Sequence, residues 1–263
     1  MKIGFIGGGN MGGAIIGGIV KNDVAAPEDI IVSDANKASV EKIQSLYGVN
    51  AAENNTQTAG ADILFLCVKP NILYSVIDEI KDDVSENTLI ISIAAGQSIE
   101  AIENAFGKAI KLIRVMPNTP ALAGEGMSAL SPNANVTETE LEKAVTLFNS
   151  FGTAEVVPEK LMDVVTAVSG SSPAYVFMFI EAMADAAVMG GMPRQQAYTF
   201  AAQSVLGSAK MVLETGKHPG ELKDMVCSPA GTTIEAVAVL EDMGLRAAVI
   251  EAMRACMEKS RDM

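Results

Sequence analysis

The residues with the clearest chemical potential form a glycine-rich segment near the N-terminus, Gly7-Gly8-Gly9-Asn10-Met11-Gly12. It follows the apolar run Ile3–Ile6 and opens a helical pattern over residues 11–20, so we expect a strand, a tight turn and a helix. In such a unit the first glycine permits the turn, the second lets the backbone approach a pyrophosphate, and the third lets helix and strand pack closely. Free N–H groups at the helix N-terminus then bind the anion. The spacing therefore predicts a dinucleotide-binding βαβ unit.

Two residues further along bear on which dinucleotide binds. Asp34 follows a second strand-like run, residues 30–32, where a carboxylate can accept the ribose 2′-hydroxyl of NAD or cap the next helix. Lys37 can instead hold the 2′-phosphate of NADP. These residue types leave the choice of cofactor open.

Three further segments follow predicted strands, at the edge of an α/β sheet where ligands bind. Lys69, within Val68-Lys69-Pro70, can neutralise a bound anion or belong to a solvated loop. The small residues of Ala94-Ala95-Gly96 would let a nicotinamide ring or ribose lie against the backbone. The rigid loop Met116-Pro117-Asn118-Thr119-Pro120 fits a pocket wall or a plain tight connection.

The second half of the chain contains two serine-proline motifs, Ser169-Gly170-Ser171-Ser172-Pro173 and Cys227-Ser228-Pro229-Ala230-Gly231-Thr232-Thr233. Each predicts a Ser N-cap followed by Pro at the first helical position. Small residues in the second motif expose backbone N–H groups, so a carboxylate could bind at residues 230–233 without an arginine. Helix capping alone is the alternative explanation.

The available side chains narrow the chemistry further. The single histidine, His218, and three cysteines without ligand spacing predict neither a metal site nor a Ser-His-Asp set. A general acid must then be a hydroxyl, Lys69, water or a proton of the substrate itself. This suits an imine, because a protonated imine is already electrophilic and needs positioning more than strong acid catalysis.

The elements that position these residues fall into two regions. In the first, short β-branched runs alternate with helical patterns, which predicts an α/β Rossmann-type, doubly wound parallel sheet. Strands are predicted over residues 3–6, 30–32, 63–68, 89–93, 110–115, 126–130 and 154–157, and helices over 11–20, 38–47, 71–80, 98–106 and 138–151. After Pro158 only helical patterns remain, so we predict an NAD(P)-binding domain over residues 1–158 and an all-α dimerisation and substrate-binding domain over 159–263.

Charge and hydropathy indicate the surroundings of the chain. A net charge of −13 argues against nucleic-acid binding, and no secretory leader is recognisable, so we expect a cytoplasmic protein. The most apolar stretch, residues 174–180, is followed by Glu181 and Asp185, which favours a buried helix over a membrane span. Residues 174–191 are apolar around most of the helix, which predicts that a second subunit covers part of it.

Taken together, the glycine loop, the segments 68–70 and 114–120 and the two serine-proline motifs resemble pyrroline-5-carboxylate reductase over essentially the whole chain. The resemblance implies reduction of 1-pyrroline-5-carboxylate to L-proline by NADPH, with NADH as the alternative. It also implies a homodimer built through the helical domain, with a decamer of five dimers as the larger assembly that the family often forms.

The resemblance also implies roles for particular residues. Cofactor binding falls to Ile6, Gly7, Gly8, Gly9, Asn10, Met11, Asn55, Val68, Lys69 and Ala95, to which we add Asp34, Lys37, Pro70 and Ala94 from their positions. Substrate binding falls to Ser171, Ser228, Ala230, Gly231, Thr232 and Thr233. Thr233 would orient or protonate the ring nitrogen, and Lys69 is the second catalytic candidate. Ala230 and Ser172 stand where the family usually has glycine, which we expect to affect substrate affinity.

Two other functions are compatible with a glycine loop and a helical second region. A β-hydroxyacid dehydrogenase needs a lysine with Asn or Asp four residues later, and none of Lys160, Lys210, Lys217, Lys223 and Lys259 has one. A non-catalytic NADP sensor predicts cofactor binding without turnover, and the intact second serine-proline motif argues against it.

Overall fold

The structure, a computed structural model, describes residues 1–262. Its strands are β1 Ile3–Ile6, β2 Ile30–Ser33, β3 Asn50–Ala51, β4 Ile63–Leu66, β5 Leu89–Ser92, β6 Lys111–Met116, β7 Gly126–Pro132 and β8 Gly152–Val156. The helices among them are α1 Asn10–Lys21, α2 Lys37–Tyr47, α3 Asn55–Ala59, α4 Pro70–Ile80, α5 Ile99–Phe106 and α6 Glu138–Asn149. After them come α7 Met162–Val165, α8 Ser172–Met189, α9 Arg194–Thr215, α10 Pro219–Val226, α11 Thr232–Asp242 and α12 Leu245–Arg261. Short 3₁₀ turns cover Pro27–Asp29, Thr119–Ala123 and Glu159–Leu161, and a π-helical turn covers Thr166–Gly170.

The strands form one sheet in the order β3-β2-β1-β4-β5-β6-β7-β8. The chain moves outward from β1 to β2 and β3 and then returns to place β4 on the other side of β1. The order therefore reverses between β1 and β4, and in doubly wound folds the ligand crevice lies at the carboxyl ends of the strands at such a point. The predicted fold class, a Rossmann-type sheet followed by helices, is confirmed.

Aromatic packing holds the two strands that flank this crevice. Phe5 and Phe65 are paired in register between β1 and β4, and their rings stack with centroids 4.4 Å apart. Phe148 of α6 lies over Phe65 with centroids 5.9 Å apart. Because side chains alternate along a strand, Ile6 and Leu66 pack on the opposite face with residues of α4 and α5. The central strands are thus covered on both faces, which accounts for their continuous apolar pattern.

One edge of the sheet departs from the parallel arrangement that repeated βαβ units imply. β7 runs antiparallel to β6, with Met116 opposite Ala129. The segment between them is short and contains only a 3₁₀ turn, Thr119–Ala123, whereas a parallel return needs a crossover of about a dozen residues or more. β3 and α3, which the sequence analysis did not predict, are the shortest strand and one of the shortest helices.

The chain divides into two compact units, Met1–Ser171 with the chain from Cys256 on, and Ser172–Ala255. Residues just after Pro158 fold onto the first unit because Glu159 accepts hydrogen bonds from Arg114 Nη1 at 2.9 Å and from the backbone N–H of Ile99 at 2.7 Å. The functional boundary at Pro158 stays a prediction.

The second compact unit exposes much apolar surface. α8 and α9 pack against each other, yet Phe177, Met178, Met189 and Leu213 are 62%, 69%, 89% and 84% exposed. One helical stretch among the described residues, Glu159–Met189, is long and apolar enough to cross a membrane, a test that apolar helices of soluble proteins also pass.

Candidate active site

The glycine loop turns sharply between β1 and α1. Gly7 adopts a φ of +108°, and its N–H donates to the Ser33 carbonyl at 2.8 Å. A Cβ at Gly7 would lie 2.4 Å from the carbonyl oxygen of Cys67, and a Cβ at Gly12 would lie 2.2 Å from the carbonyl oxygen of Gly7. Glycine is therefore required at Gly7 for the turn and at Gly12 for close packing, the structural roles the spacing indicated.

The N-terminus of α1 is open to a ligand. Gly9 is its N-cap residue with no side-chain cap, and a Cβ at Gly9 would meet nothing within 4 Å. The first N–H groups of a helix have no partner within it, so those of Asn10 and Met11 are available to an anion. Binding of a pyrophosphate here stays a prediction.

A cavity of about 380 Å³ opens beside this helix end, at the carboxyl edge of β1 and β4. Its lining comprises Ile6, Gly7, Gly9, Asp34, Ala35, Asn55, Cys67, Val68, Lys69, Ile72 and Val76. The structure thus brings together seven of the predicted cofactor residues, namely Ile6, Gly7, Gly9, Asp34, Asn55, Val68 and Lys69. Gly8 and Asn10 border a neighbouring groove of about 160 Å³ on the α2 side.

Two polar side chains are fixed at the β2 end of the cavity. Asp34 Oδ2 accepts from the backbone N–H of Gly8 at 2.7 Å, and its Oδ1 accepts from the N–H of Asn36 at 2.8 Å. Asn55 Oδ1 accepts from the Ser33 hydroxyl at 2.8 Å, and its Nδ2 donates to Glu79 Oε2 at 2.8 Å. Both therefore shape the cavity wall, and Asp34 does not cap α2, which Asn36 caps instead.

The other predicted cofactor residues occupy the loops that follow β4 and β5, or lie beside β2. Lys69 is the exposed N-cap residue of α4, and Pro70 is the first residue of that helix. Ala94, the second residue after β5, is buried, and Ala95 is half-buried. Lys37 is the exposed first residue of α2.

Cys67 lines the cavity but was given no role from the sequence. Its N–H continues the β1–β4 pairing by donating to the Ile6 carbonyl at 2.8 Å. Burial raises the pKa of the Cys67 thiol far above its usual range, so the thiol stays neutral. Its position immediately after a buried strand was the signal that could have identified it.

Asn118 is a second residue whose role sequence reasoning missed. It is 8% exposed, its Oδ1 accepts from the N–H of Met127 at 2.8 Å, and its Nδ2 donates to the Ser169 carbonyl at 3.0 Å. The Asn118 amide thus connects the Pro-Asn-Thr-Pro loop to two other segments: its oxygen bonds the start of β7, and its nitrogen bonds the π-helical turn Thr166–Gly170.

The first serine-proline motif does not begin a helix in the way predicted. Helical backbone continues from α7 through the π-helical turn, and Ser171 has φ −97° and ψ −27° rather than the extended angles of an N-cap residue. Its N–H donates to the Thr166 carbonyl at 2.8 Å. α8 begins at Ser172 rather than after it, so Ser172 is the first helical residue instead of the predicted N-cap residue, and Pro173 lies in the first turn.

The second serine-proline motif is a turn followed by a helix. The N–H of Gly231 donates to the Ser228 carbonyl at 3.0 Å, which closes a β-turn over Pro229 and Ala230. Ala230 has a φ of +55°, and Pro followed by a left-handed residue is the pattern of a type II turn. The predicted N-cap at Ser228 is wrong, because α11 begins only at Thr232, with Gly231 as its N-cap residue.

Because α11 begins at Thr232, the N–H groups that an anion could meet in the second motif are those of residues 232 and 233. Gly231 has no side-chain cap to offer α11, so the first-turn N–H groups of Thr232 and Thr233 are available. A Cβ at Gly231 would lie 2.3 Å from the Ser228 hydroxyl and 3.1 Å from the Ser228 carbonyl oxygen, so glycine lets the turn close tightly without moving the Ser228 side chain. The Thr233 side chain is half-buried. Carboxylate binding at this turn stays a prediction.

A glycine-loop cavity at the switch point of a mainly parallel sheet, with a helical region after it, defines a dinucleotide-dependent oxidoreductase. The chain is 56% identical over 260 residues to pyrroline-5-carboxylate reductase of Escherichia coli K12, covering 98% of this chain and 97% of that protein. It belongs to the pyrroline-5-carboxylate reductase family, which confirms the resemblance of its motifs.

Other similarities agree with this assignment. Residues 159–263 match a family model described as pyrroline-5-carboxylate reductase dimerisation, and residues 2–96 match one described as NADP oxidoreductase, coenzyme F420-dependent. The pyrroline-5-carboxylate reductase of Methanosarcina acetivorans is 46% identical, covering 100% of this chain and 97% of that protein. The solved structure from Coxiella burnetii has a TM-score of 0.93 at 36% identity, covering 99% of this chain and 97% of that one. The Plasmodium falciparum structure, solved with NADP bound, has a TM-score of 0.89 at 35% identity, covering 100% and 97%.

Proposed function

We propose that the chain reduces the C=N bond of 1-pyrroline-5-carboxylate to L-proline, the last step of proline biosynthesis, with NADPH as the preferred donor and NADH as the alternative. Similarity over the whole chain to reductases that act in this way is the observation that carries the proposal. The cavity beside the uncapped N-terminus of α1 supports a dinucleotide, because it offers backbone donors to phosphates in an otherwise acidic protein.

The residues of the cavity have distinct parts in this proposal. The bound nicotinamide supplies the hydride. The N–H groups of Asn10 and Met11 bind the pyrophosphate, and Asp34 and Asn55 shape the adenosine end. Lys69, which makes no ion pair among the described residues, provides a positive charge at the mouth of the cavity.

The turn before α11 binds the substrate in the same proposal. The first-turn N–H groups of Thr232 and Thr233 donate hydrogen bonds to the carboxylate, where the helix dipole favours an anion. The Thr233 hydroxyl orients the ring nitrogen or carries a proton to it. Positioning dominates the chemistry because the protonated imine is already electrophilic.

Initial rates with 1-pyrroline-5-carboxylate and either NADPH or NADH test the reaction directly. We expect turnover with both and a higher kcat/KM with NADPH; cofactor binding without turnover would support the sensor hypothesis instead. Thr233→Ala should lower kcat about 100-fold, and Thr233→Ser should restore most of it. Thr215→Ala is the control, since the Thr215 hydroxyl makes only local contacts: it donates to the Met211 carbonyl and accepts from the N–H of Lys217 at the end of α9. Unchanged turnover in Thr233→Ala would remove the role proposed for that hydroxyl.

We also propose a cytoplasmic homodimer, with a decamer of five dimers as the larger assembly, and no membrane or nucleic-acid partner. The apolar side chains that α8 and α9 leave exposed favour a second copy as their cover. Light scattering on the purified chain should give at least twice the 27.4 kDa monomer mass. A monomer over the working concentration range would contradict this proposal.

A further inference from the structure

A hydrogen bond from a buried amide joins two motifs that lie far apart in the sequence. Asn118 Nδ2 donates to the backbone carbonyl of Ser169 at 3.0 Å, across 51 residues of chain. Asn118 is buried, and its Oδ1 is already used by the N–H of Met127 at 2.8 Å. An amide is required for this pair of bonds, because one end accepts while the other donates.

The Ser169 carbonyl has a particular need for this donor. In a regular α-helix it would accept from the N–H of the residue four positions later, which is Pro173, and proline has no N–H. The backbone around it is wound as a π-helical turn, a rare form that is often found at functional sites. Asn118 therefore supplies from another part of the chain a hydrogen bond that Pro173 cannot provide.

Further contacts fix the same turn. The terminal methyl of Met116 lies 2.5 Å from where a Cβ at Gly170 would stand, so the Met116 side chain packs directly against the turn. The next residue, Ser171, accepts a hydrogen bond from the Cys256 thiol at 3.3 Å. Because the thiol donates, the Ser171 hydroxyl can still donate to a ligand.

We infer that Asn118 is a positioning residue: by holding the π-helical turn, it sets where Ser171 presents its hydroxyl to the substrate. The inference rests on the proposed function, in which Ser171 binds 1-pyrroline-5-carboxylate. Asn118 acts through Ser169 and Ser171 rather than by touching the reacting atoms.

The test exchanges only the donor. Asn118→Asp keeps an oxygen for the N–H of Met127 but places a carboxylate oxygen against the Ser169 carbonyl. We expect KM for 1-pyrroline-5-carboxylate to rise about tenfold, while the Kd for NADPH changes less than twofold. The defect, taken as the ratio of variant to wild type at each pH, should shrink as pH falls, because the protonated carboxyl donates again.

Asn133→Asp is the matched control. Asn133 also links two segments, since its Oδ1 accepts from the N–H of Leu112 and its Nδ2 donates to the Ile110 carbonyl, but it lies beyond the other end of β7. This variant should lose stability and keep its KM. If both variants lose stability alike and both keep their KM, Asn118 is merely structural and the inference is wrong.

Hydrogen–deuterium exchange separates the inference from the proposed function. Asn118→Asp should speed exchange of the amides of residues 170–172, and Asn133→Asp should not. Wild-type protein without activity would overturn the proposed function, while unchanged exchange in an active enzyme would overturn the inference alone. If Asn118→Asp does not fold, a second pair of variants tests the same inference. Pro173→Ala provides an N–H for the Ser169 carbonyl, which then no longer depends on Asn118. Asn118→Ser should therefore raise KM less in the Pro173→Ala protein than in the wild type, and an equal rise in both would overturn the inference.

Discussion

The carboxylate of Asp34 accepts a hydrogen bond from the backbone N–H of Gly8 at 2.7 Å, across 26 residues of chain. Asp34, which is predicted to contact the ribose, therefore also fixes the glycine loop, which is predicted to bind the pyrophosphate. Its second oxygen is held by the N–H of Asn36 at 2.8 Å. One negative charge thus links the shape of the glycine loop to the electrostatics of the adenosine end of the cavity.

Asp34→Asn should change cofactor preference as well as affinity. The amide can satisfy only one of the two N–H donors, so the loop loosens, and we expect kcat/KM with NADH to fall about tenfold or more. Removal of the charge also relieves repulsion of a 2′-phosphate, so the loss with NADPH should be smaller. Steady-state rates with both cofactors measure the two effects.

Asp29→Asn controls for charge, because Asp29 pairs with Lys2 at 2.9 Å just before β2 begins and lies away from the cavity. Equal losses with NADH and NADPH in Asp34→Asn would mean that Asp34 only holds the loop.

Ala230→Gly should stabilise the protein. An alanine in the left-handed conformation destabilises the folded state by about 1–2 kcal/mol, and glycine removes this cost. Glycine in turn makes the unfolded chain more flexible, which lowers the free energy of unfolding by about 0.5–1 kcal/mol. Ala230 has a φ of +55°, so the free energy of unfolding should rise by about 0.5–1 kcal/mol. Urea unfolding at one fixed protein concentration measures it.

Ala236→Gly is its counterpart, because Ala236 is exposed in the interior of α11. There the same exchange should cost about 1 kcal/mol. If Ala230→Gly and Ala236→Gly both lower the free energy of unfolding, or both raise it, the turn conformation does not decide the effect at Ala230.

Much of the first unit could be predicted from the sequence because its signals are local. β1, α1 and β2 follow from an apolar run, a glycine loop and a second apolar run, and the structure places all three within about two residues of the prediction. β3 and α3 have no apolar period long enough to find. The second serine-proline motif misled for a specific reason: Pro suits the first turn of a helix and the second position of a β-turn equally well, and only the φ of Ala230 separates the two. The contact from Asn118 to Ser169 has no local signature at all.

Glu140→Gln should lower the free energy of unfolding at neutral pH but not at acidic pH. Burial raises the pKa of the Glu140 carboxyl, but the Lys111 ammonium 2.7 Å away and the hydrogen bonds from Thr137 lower it more, so the pKa lies below its ordinary 4.5. A lowered pKa stabilises the folded state above the ordinary value, and the contribution disappears as pH falls through the folded value. We expect a loss of about 1 kcal/mol at pH 7 that shrinks as pH falls below the ordinary pKa of the carboxyl, measured by urea unfolding from pH 7 into the acidic range.

Glu138→Gln is the control within the same helix, because Glu138 is an exposed acid of the first turn of α6 with no ion pair among the described residues. If the stability lost in Glu140→Gln does not shrink as pH falls below 4.5, Glu140 acts through packing or capping rather than through its charge.

Gly12→Ala and Gly13→Ala should have opposite effects although they are neighbours in α1. A Cβ at Gly12 would lie 2.2 Å from the Gly7 carbonyl oxygen, so α1 must move away from the glycine loop. We expect a loss of about 1–3 kcal/mol in stability and about a hundredfold in kcat/KM for NADPH, because the first-turn N–H groups move with the helix. A Cβ at Gly13 would meet only the Ile43 side chain at 3.7 Å, an ordinary contact, so alanine there should add about 0.5–1 kcal/mol through helix propensity. Urea unfolding and steady-state rates at varied NADPH concentration measure the two effects in both variants. A Gly12→Ala variant that keeps the wild-type kcat/KM for NADPH would show that the close packing of α1 on the loop is dispensable.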